Sequence, residues 1–398
     1  MTTIWLHTNL YLLYVIGVPT LLGVVVGGGV RRTFQGRPAY YWMAFAMFVA
    51  VGLPFSSYKS HSLGQFFIYL RTNLPMLFVA GGLIVTWREC RAVMYAIAAS
   101  AVVNMASSKI FETDAGGRLS LEGLSIANSN DFAGHLLLVL PFLLWVALGA
   151  KSIFLRMAAL GGIAWDLLLI LKTASRGGLV GLIVGTLCFL FWGTNRQRIA
   201  ALCIAPIAAA ILVSMVPDMA MQRILSFSAA AADASAEALE SQNSRRYLLE
   251  QSIRYTLRFP IFGVGLDEFS DYEGAHNQVL GTHGLYHESH NTWTQVSSEC
   301  GVLALALFVA GVVSSILLLY STHRKARERP DCTDIRLVAF CLLIATISFC
   351  SAITFLSFAY FFYWPALSGL AIAVHRAAER EFLARSQAGE PALAGVRP

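Results

Sequence analysis

Four histidines, His276, His283, His287 and His290, stand close together, with the arginines Arg245, Arg246, Arg254 and Arg258 just ahead of them. An imidazole can accept a proton near neutral pH, whereas a guanidinium keeps its charge and offers a planar fork to phosphate. The pairing suits a reaction in which an anionic group is held while a hydroxyl is relieved of its proton. Spacing leaves a second chemistry open. His283, His287 and His290 are four and three residues apart, so on a helix they would share a face and could hold zinc with His276 or Glu288. HESH is not HExxH, however, and Gly281 and Gly284 interrupt a helix. His276, His283 and His287 then read as solvated loop residues, whereas His290 stands at a helix start beside Asn291, which can cap that helix and orient the ring. Asn291 is also a candidate substrate contact.

These residues need elements to position them. SRRYLLEQSIRYTLRF, from Ser244, reads as an amphipathic helix with Tyr247, Leu248, Ile253 and Leu257 mainly on one side and Arg246, Glu250 and Arg254 in a row on another, a pattern that suits a membrane surface. Pro260 stops it, and FGVGLDEF supplies a turn that needs glycine at Gly263 and Gly265. HNTWTQVSSECGVLALALF then enters an apolar helix in which Glu299, about two and a half turns beyond His290, is a weaker candidate partner.

Elsewhere, TASRGG (Thr173 to Gly178) sets Arg176 between two apolar runs, where it can either grip phosphate or anchor a helix end. Arg245 and Arg246 could join it in an outward-facing diphosphate site, and Arg254 is a candidate for substrate or lipid headgroups. Asn128, Ser129, Asn130, Asp131 and His135 gather at the start of another span, capping by default, with Asn130 and Asp131 as candidate substrate contacts. Arg71 lies inside an apolar run and is expected to face protein or water.

Of the 398 residues, 57% are hydrophobic and 13% charged, and the mean hydropathy is +0.62. No soluble core hides so many long apolar runs, whereas a bilayer needs about 20 such residues per crossing. The net charge of +6 then belongs to loops on one side and not to nucleic-acid binding. Seven cysteines, with Cys188, Cys203, Cys341 and Cys350 inside apolar runs, imply no disulfide framework. The runs predict about eleven spans: Leu10–Gly29, Ala39–Phe55, Phe66–Thr86, Ala92–Ala106, Phe132–Gly149, Ile153–Leu171, Gly177–Trp192, Ile199–Val216, Thr292–Tyr320, Ile335–Thr354 and Phe358–His375. The expected organisation is an N-terminal bundle over 1–216, an outer loop over 217–291 whose Ala-rich start at 228–242 is a linker or mobile helix, C-terminal helices over 292–376, and a tail over 377–398, disordered after Arg385. Basic residues alternate from loop to loop, so the positive-inside rule places the N-terminus and the 217–291 loop outside, and no cleavable leader is visible.

TASRGG after an apolar helix, the loop opening SRRYLLEQSIRYTLRFPIFGVGLDEF and SHNTWTQVSSECGVLALALF together resemble the O-antigen ligase family of membrane glycosyltransferases, which also includes O-antigen polymerases and protein O-oligosaccharyltransferases. SNDFAGHLLLVLPF, from Ser129, resembles a looser family pattern. The resemblance implies an all-α fold of the GT-C type with about eleven to twelve transmembrane helices and one large periplasmic loop carrying amphipathic helices, in the bacterial inner membrane. It implies transfer of a glycan from undecaprenyl diphosphate to a hydroxyl, a lipid A core sugar being the first expectation, in lipopolysaccharide biosynthesis, with inversion and no cofactor or metal. Arg176, Arg245 and His290 correspond to the catalytic positions. Membrane lipids are the other expected partner. A polymerase, a protein glycosylating enzyme and a flippase for lipid-linked sugars are the alternatives, although the absence of an evident internal repeat argues against the last.

Overall fold

The computed structural model describes residues 12–114, 118–121, 128–218, 220–221, 236–279 and 282–389. Almost all of them are helical. In chain order the elements are α1 (Leu12–Val26), α2 (Gly29–Thr33), α3 (Arg37–Gly52), α4 (Lys59–Ile68), a π turn (Tyr69–Asn73), α5 (Pro75–Leu83), α6 (Trp87–Phe111), α7 (Ser129–Gly149), α8 (Ile153–Lys172), α9 (Arg176–Trp192), α10 (Asn195–Ser214), α11 (Ala236–Arg258), α12 (Phe269–His276), α13 (Thr292–Cys300), α14 (Val302–Arg327), α15 (Thr333–Ile353) and α16 (Tyr363–Gly389). Two short antiparallel hairpins interrupt them: β1 (Glu112–Asp114) with β2 (Leu119–Leu121), and β3 (Gln278–Val279) with β4 (Thr282–His283).

Eight helical stretches among the described residues are long and apolar enough to cross a membrane, and the protein is a multi-pass membrane protein. The difference from eleven has a simple origin. The described part of the first helix, Val15–Val26, and α9 are apolar but shorter than a full crossing, and α16 starts apolar and ends charged, with Arg376, Arg380 and Arg385 in its second half. That helix also runs through the expected tail to Gly389, because Arg385 pairs with Asp334 and Glu381, each at 3.0 Å. Residues 390–398 and most of the Ala-rich stretch lie outside the described residues.

At the centre of the bundle, α15 packs on α7, α9 and α14, α14 packs on α3, and α16 packs on α5. A lipid environment gives helices no hydrophobic reason to associate, so close backbone approach and buried hydrogen bonds matter more. Trp42 Nε1 donates to Ser368 Oγ at 2.7 Å and Ser315 Oγ to the same oxygen at 2.8 Å, which clips α3, α14 and α16 together. Arg376 donates to the carbonyls of Arg32 and Gly81, both at 2.9 Å, so it closes the ends of α2 and α5. Arg71, in the π turn, is exposed on the surface of the protein.

The single expected span from Thr292 to Tyr320 is two helices. Gly301, with φ 90°, breaks it, and a Cβ at that position would meet the carbonyl oxygen of Ile261 at 2.0 Å. The loop returns here, with Val302 N–H donating to Pro260 O at 2.9 Å. Gly301→Ala is therefore expected to cost at least about 1–3 kcal/mol from backbone strain, plus the clash. Thermal unfolding in detergent should show the loss, and an unchanged midpoint would mean that the break is not glycine-dependent.

Candidate functional site

The segment between α10 and α13 includes a small core of its own. In α11 the buried face is Leu248, Gln251, Ser252 and Tyr255, while Ile253 and Leu257 are exposed. The expected apolar face is thus divided: the helix turns Leu248 and Tyr255 onto Val264, Phe269 and Tyr272 and leaves Leu257 outward. A second helix packs here, because Thr256 Oγ1 lies 2.7 Å from Ser297 Oγ of α13. The 263–269 turn follows. Gly263 at φ 67° lets Val264 N–H reach Ser298 O and Gly265 N–H reach Glu299 O, both at 2.9 Å. Glu299 is buried beneath this turn, where its carboxylate accepts Asp267 N–H at 3.2 Å and Phe269 N–H at 3.3 Å. Burial holds it well above the ordinary carboxylate range. Its partners are the turn and Tyr360, so it anchors the loop in place of the expected role beside His290.

Among the described residues between α12 and α13 no helix forms. Residues 284–291 are irregular, and Tyr286 and His290 adopt positive φ, 53° and 50°. The shared helical face that zinc would need is absent: His287 is exposed, and His276 stacks on Tyr272 at 4.2 Å between ring centroids. The side chain of His283 is outside the described residues. Glu273, fully buried, fixes the start of this irregular segment by accepting Leu285 N–H at 2.9 Å, Tyr286 N–H at 3.2 Å and the Tyr247 hydroxyl at 3.0 Å.

His290 is held by the turn that precedes α16. Its backbone N–H donates to Ser357 Oγ at 3.0 Å, and the Ser357 hydroxyl also bonds the Glu288 carboxylate. Next to it, Thr292 Oγ1 donates to Leu356 O at 2.7 Å and accepts Phe358 N–H at 3.0 Å. Asn291 caps α13 through Oδ1, which accepts from Trp293 N–H at 3.0 Å and Thr294 N–H at 3.1 Å. A non-glycine residue in the left-handed region is costly and persists where its surroundings over-determine it. Burial, and then the charge of Arg245, push the imidazole down to about 4, with His287 adding to both. His290 is therefore neutral at physiological pH.

The 355–358 turn joins this centre to Arg176. Ser175 caps α9, its Oγ accepting Gly178 N–H at 3.3 Å. A Cβ at Gly177 would meet Phe355 Cβ at 2.9 Å, and one at Gly178 would meet Ala133 Cβ at 2.9 Å. TASRGG therefore sits against both α7 and the turn that carries Ser357. The first turn of α7 completes the bridge. Asp131 interacts electrostatically with Arg245 and Glu288. Asn130 Oδ1 accepts from Arg118 Nη2 at 2.9 Å, and Arg118 Nε donates to Thr173 O at 3.0 Å. Arg118 was not among the sequence candidates; the signal was available, because the charge alternation leaves it on the expected outer side, as it does Arg176. Ser357, by contrast, gives no local signal. Arg246 is exposed and paired with Glu250 at 3.0 Å, and Arg254 is exposed as well, so neither joins this group. His135, one turn further into α7, bonds the Tyr363 hydroxyl at 3.0 Å.

Beside the site lies a cavity of about 270 Å³ lined by Gln65, Asp267, Glu288, Gln295, Ser357 and Tyr360 among others. Its wall carries two carboxylates and no cationic side chain. Burial raises Glu288 above the usual carboxylate range.

Residues 161–309, from within α8 to the start of α14, match the family described as O-antigen ligase. The chain carries an O-antigen ligase domain. At the level of that family the protein is an enzyme of the glycosyltransferase or ligase type, a membrane protein that handles glycans. The ligase domain includes Arg176, Arg245, Glu288 and His290, whereas Arg118, Asn130 and Ser357 lie outside the matched residues. No curated protein matches the chain. Among solved structures, a chain described under "Structural coordination of polymerization and crosslinking by a peptidoglycan synthase complex" is similar at 14% identity and a TM-score of 0.46, over 86% of this chain and 97% of that one. A likeness of that size carries no argument about activity.

Proposed function

We propose that the ligase domain transfers a glycan from an undecaprenyl-diphosphate donor to an acceptor hydroxyl at the periplasmic face, with a lipid A core sugar as the first acceptor to test. The observation that carries this reading is His290, which lies within the matched residues, is fixed at φ 50° by its backbone N–H bond to Ser357 Oγ, and is within electrostatic reach of Arg245, whose charge together with burial favours the neutral imidazole. Arg245 and Arg176 would hold the diphosphate, whose departure needs its growing negative charge neutralised. No protein metal is needed for that role. The acceptor oxygen attacks the anomeric carbon from the face opposite the diphosphate; the new C–O bond forms as the bond to the diphosphate oxygen breaks, and His290 takes the hydroxyl proton. The anomeric centre inverts, and undecaprenyl diphosphate leaves. The cavity lined by Asp267 and Glu288 repels a diphosphate and suits a neutral, hydroxyl-rich sugar, which favours separate donor and acceptor sides.

Binding order has a role in this scheme. Arg245 depresses the basicity of His290 in the free protein, and a bound diphosphate would cancel that charge, making the imidazole a better base only once donor is present. The direct test supplies purified protein with a defined lipid-linked donor and with lipid A core, a second glycan chain or a peptide hydroxyl. Product with the expected inverted linkage supports the reading. Export of donor without any transfer would replace it with a flippase.

The facing of the site has its own test. In intact spheroplasts an impermeant thiol reagent should label a Ser241→Cys variant and leave Arg324→Cys at the background of the native cysteines, as the charge alternation requires. The opposite pattern would invert the topology and remove the site from the donor's side of the membrane.

A further inference from the structure

We infer that His61, Glu268 and Asp271 form a binding site for a divalent transition-metal ion, with zinc as the best fit, which fastens α4 to α12. His61 lies on α4, Glu268 caps the start of α12 and Asp271 is in its first turn. His61 Nδ1 is 3.6 Å from Glu268 Oε1 and 3.6 Å from Asp271 Oδ2, and Asp267 Oδ2 is 3.9 Å from Nε2 of the same ring. One ligand atom from each of the three residues falls within 4.8 Å of the others.

Those separations are too long for hydrogen bonds. They match what a tetrahedral ion imposes: two ligands each about 2.1 Å from zinc stand about 3.4 Å apart. Charge points the same way. Among the described residues, the ion pairs of Asp267, Glu268 and Asp271 all go to this one imidazole, and three carboxylates around one neutral or singly charged ring need a cation. Acidic groups are also favoured at a helix start, and that alone could explain Asp271. It does not explain Glu268, whose side chain is fully buried while its Oε2 has no hydrogen-bond partner. The other oxygen accepts from Ser62 Oγ at 3.0 Å. An orphaned carboxylate oxygen at this depth is costly unless a ligand meets it.

The surroundings fit a metal ligand. Gln65 Nε2 is 3.0 Å from His61 Nε2 and donates to it; binding an ion at Nδ1 would require the amide to turn, so that its oxygen accepts Nε2–H and the Nδ1 lone pair is released. A mixed set of one imidazole and two carboxylates, completed by water, favours zinc over the all-oxygen sets of calcium and magnesium. The joint is already closed by Ser62 Oγ to Leu266 O at 3.1 Å and by Ser57 N–H to Val264 O at 2.8 Å. An ion there would tie the wall of the acidic cavity, which Gln65 and Asp267 share, to the bundle. Its role is structural and separate from the diphosphate-holding arginines, so it stands whether or not the transfer reading holds.

The test is zinc binding to full-length protein in detergent after dialysis against chelator, followed by calorimetry, metal analysis and X-ray absorption. One zinc per chain is expected, with about one imidazole and no sulfur in its shell. His61→Ala and Asp271→Asn, both changes at partly exposed side chains, should each weaken binding at least about 10-fold, and the thermal midpoint should rise with zinc in the wild type only. No stoichiometric uptake, or uptake by His61→Ala equal to wild type, would overturn the site; loss of uptake in His287→Ala alone would move it to the histidine cluster.

Discussion

A His290→Ala protein is expected to bind lipid-linked donor and yet transfer glycan about 100 to 10,000 times more slowly, the usual contribution of a general base. Alanine confounds two effects, since His290 occupies the left-handed region at φ 50° and alanine is strained there. Asparagine tolerates that backbone and has no proton-accepting nitrogen at physiological pH. His290→Asn should therefore fold like the wild type and be as inactive as His290→Ala, whereas an active asparagine variant would reduce His290 to a backbone role. Ser357→Ala, which removes the acceptor for the His290 N–H, should give an intermediate loss in turnover with donor affinity unchanged. His287→Ala is the control, because His287 is exposed. Normal transfer by His290→Ala with an inactive His287→Ala would show the site to be wrongly assigned.

Arg176→Ala and Arg245→Ala should fail differently, losing donor binding and transfer together, because a guanidinium holds the diphosphate before and during bond breaking. Charge-assisted bonds of this kind contribute about 1.5–3 kcal/mol each, or roughly 10- to 150-fold in affinity. Arg245→Ala carries a second signature. His290 must be neutral to accept a proton, so activity falls as pH drops through its pKa, and for free enzyme that limb of kcat/KM lies near the value of about 4 to which burial and Arg245 depress it. Removing Arg245 should move the limb upward, toward the ordinary histidine range, as donor binding should for kcat. A limb that stays in place in Arg245→Ala would separate the two residues and leave the arginine a purely structural part. If all of these variants bind and transfer normally with folding intact, the enzyme reading fails.

Much of this was legible in the chain because the bilayer imposes it. Long apolar runs must be helices, since no other short segment satisfies its backbone in lipid, and Pro260, Gly263 and Asn291 act through local rules that need no tertiary knowledge. The helical face of α11 is less legible: its apolar side suits a membrane surface, yet the helix buries Leu248, Ser252 and Tyr255 and leaves Leu257 exposed, because the partner surface of Val264, Phe269 and Tyr272 lies on a segment whose approach is set by the break at Gly301. The histidines show the same limit. Their spacing would suit zinc on a helix that does not form, while the geometry that suits zinc joins His61 to acids more than two hundred residues away. Ser357, Arg118 and the inward turn of Glu299 are long-range facts of the same kind.

The dependence of His290 on Ser357, together with that of Thr292 on Leu356 and Phe358, has a consequence for biogenesis. As the chain leaves the ribosome, the arginines of α9 and α11 are made early, but the histidine cannot settle into its working conformation until the 355–358 turn has been synthesised and α15 delivered across the bilayer. A half-inserted chain would hold the parts of a donor site without a competent base. On the proposed reading, incomplete copies of the chain would thus be silent by construction, unable to squander carrier-linked glycan while the membrane is still receiving the last helices.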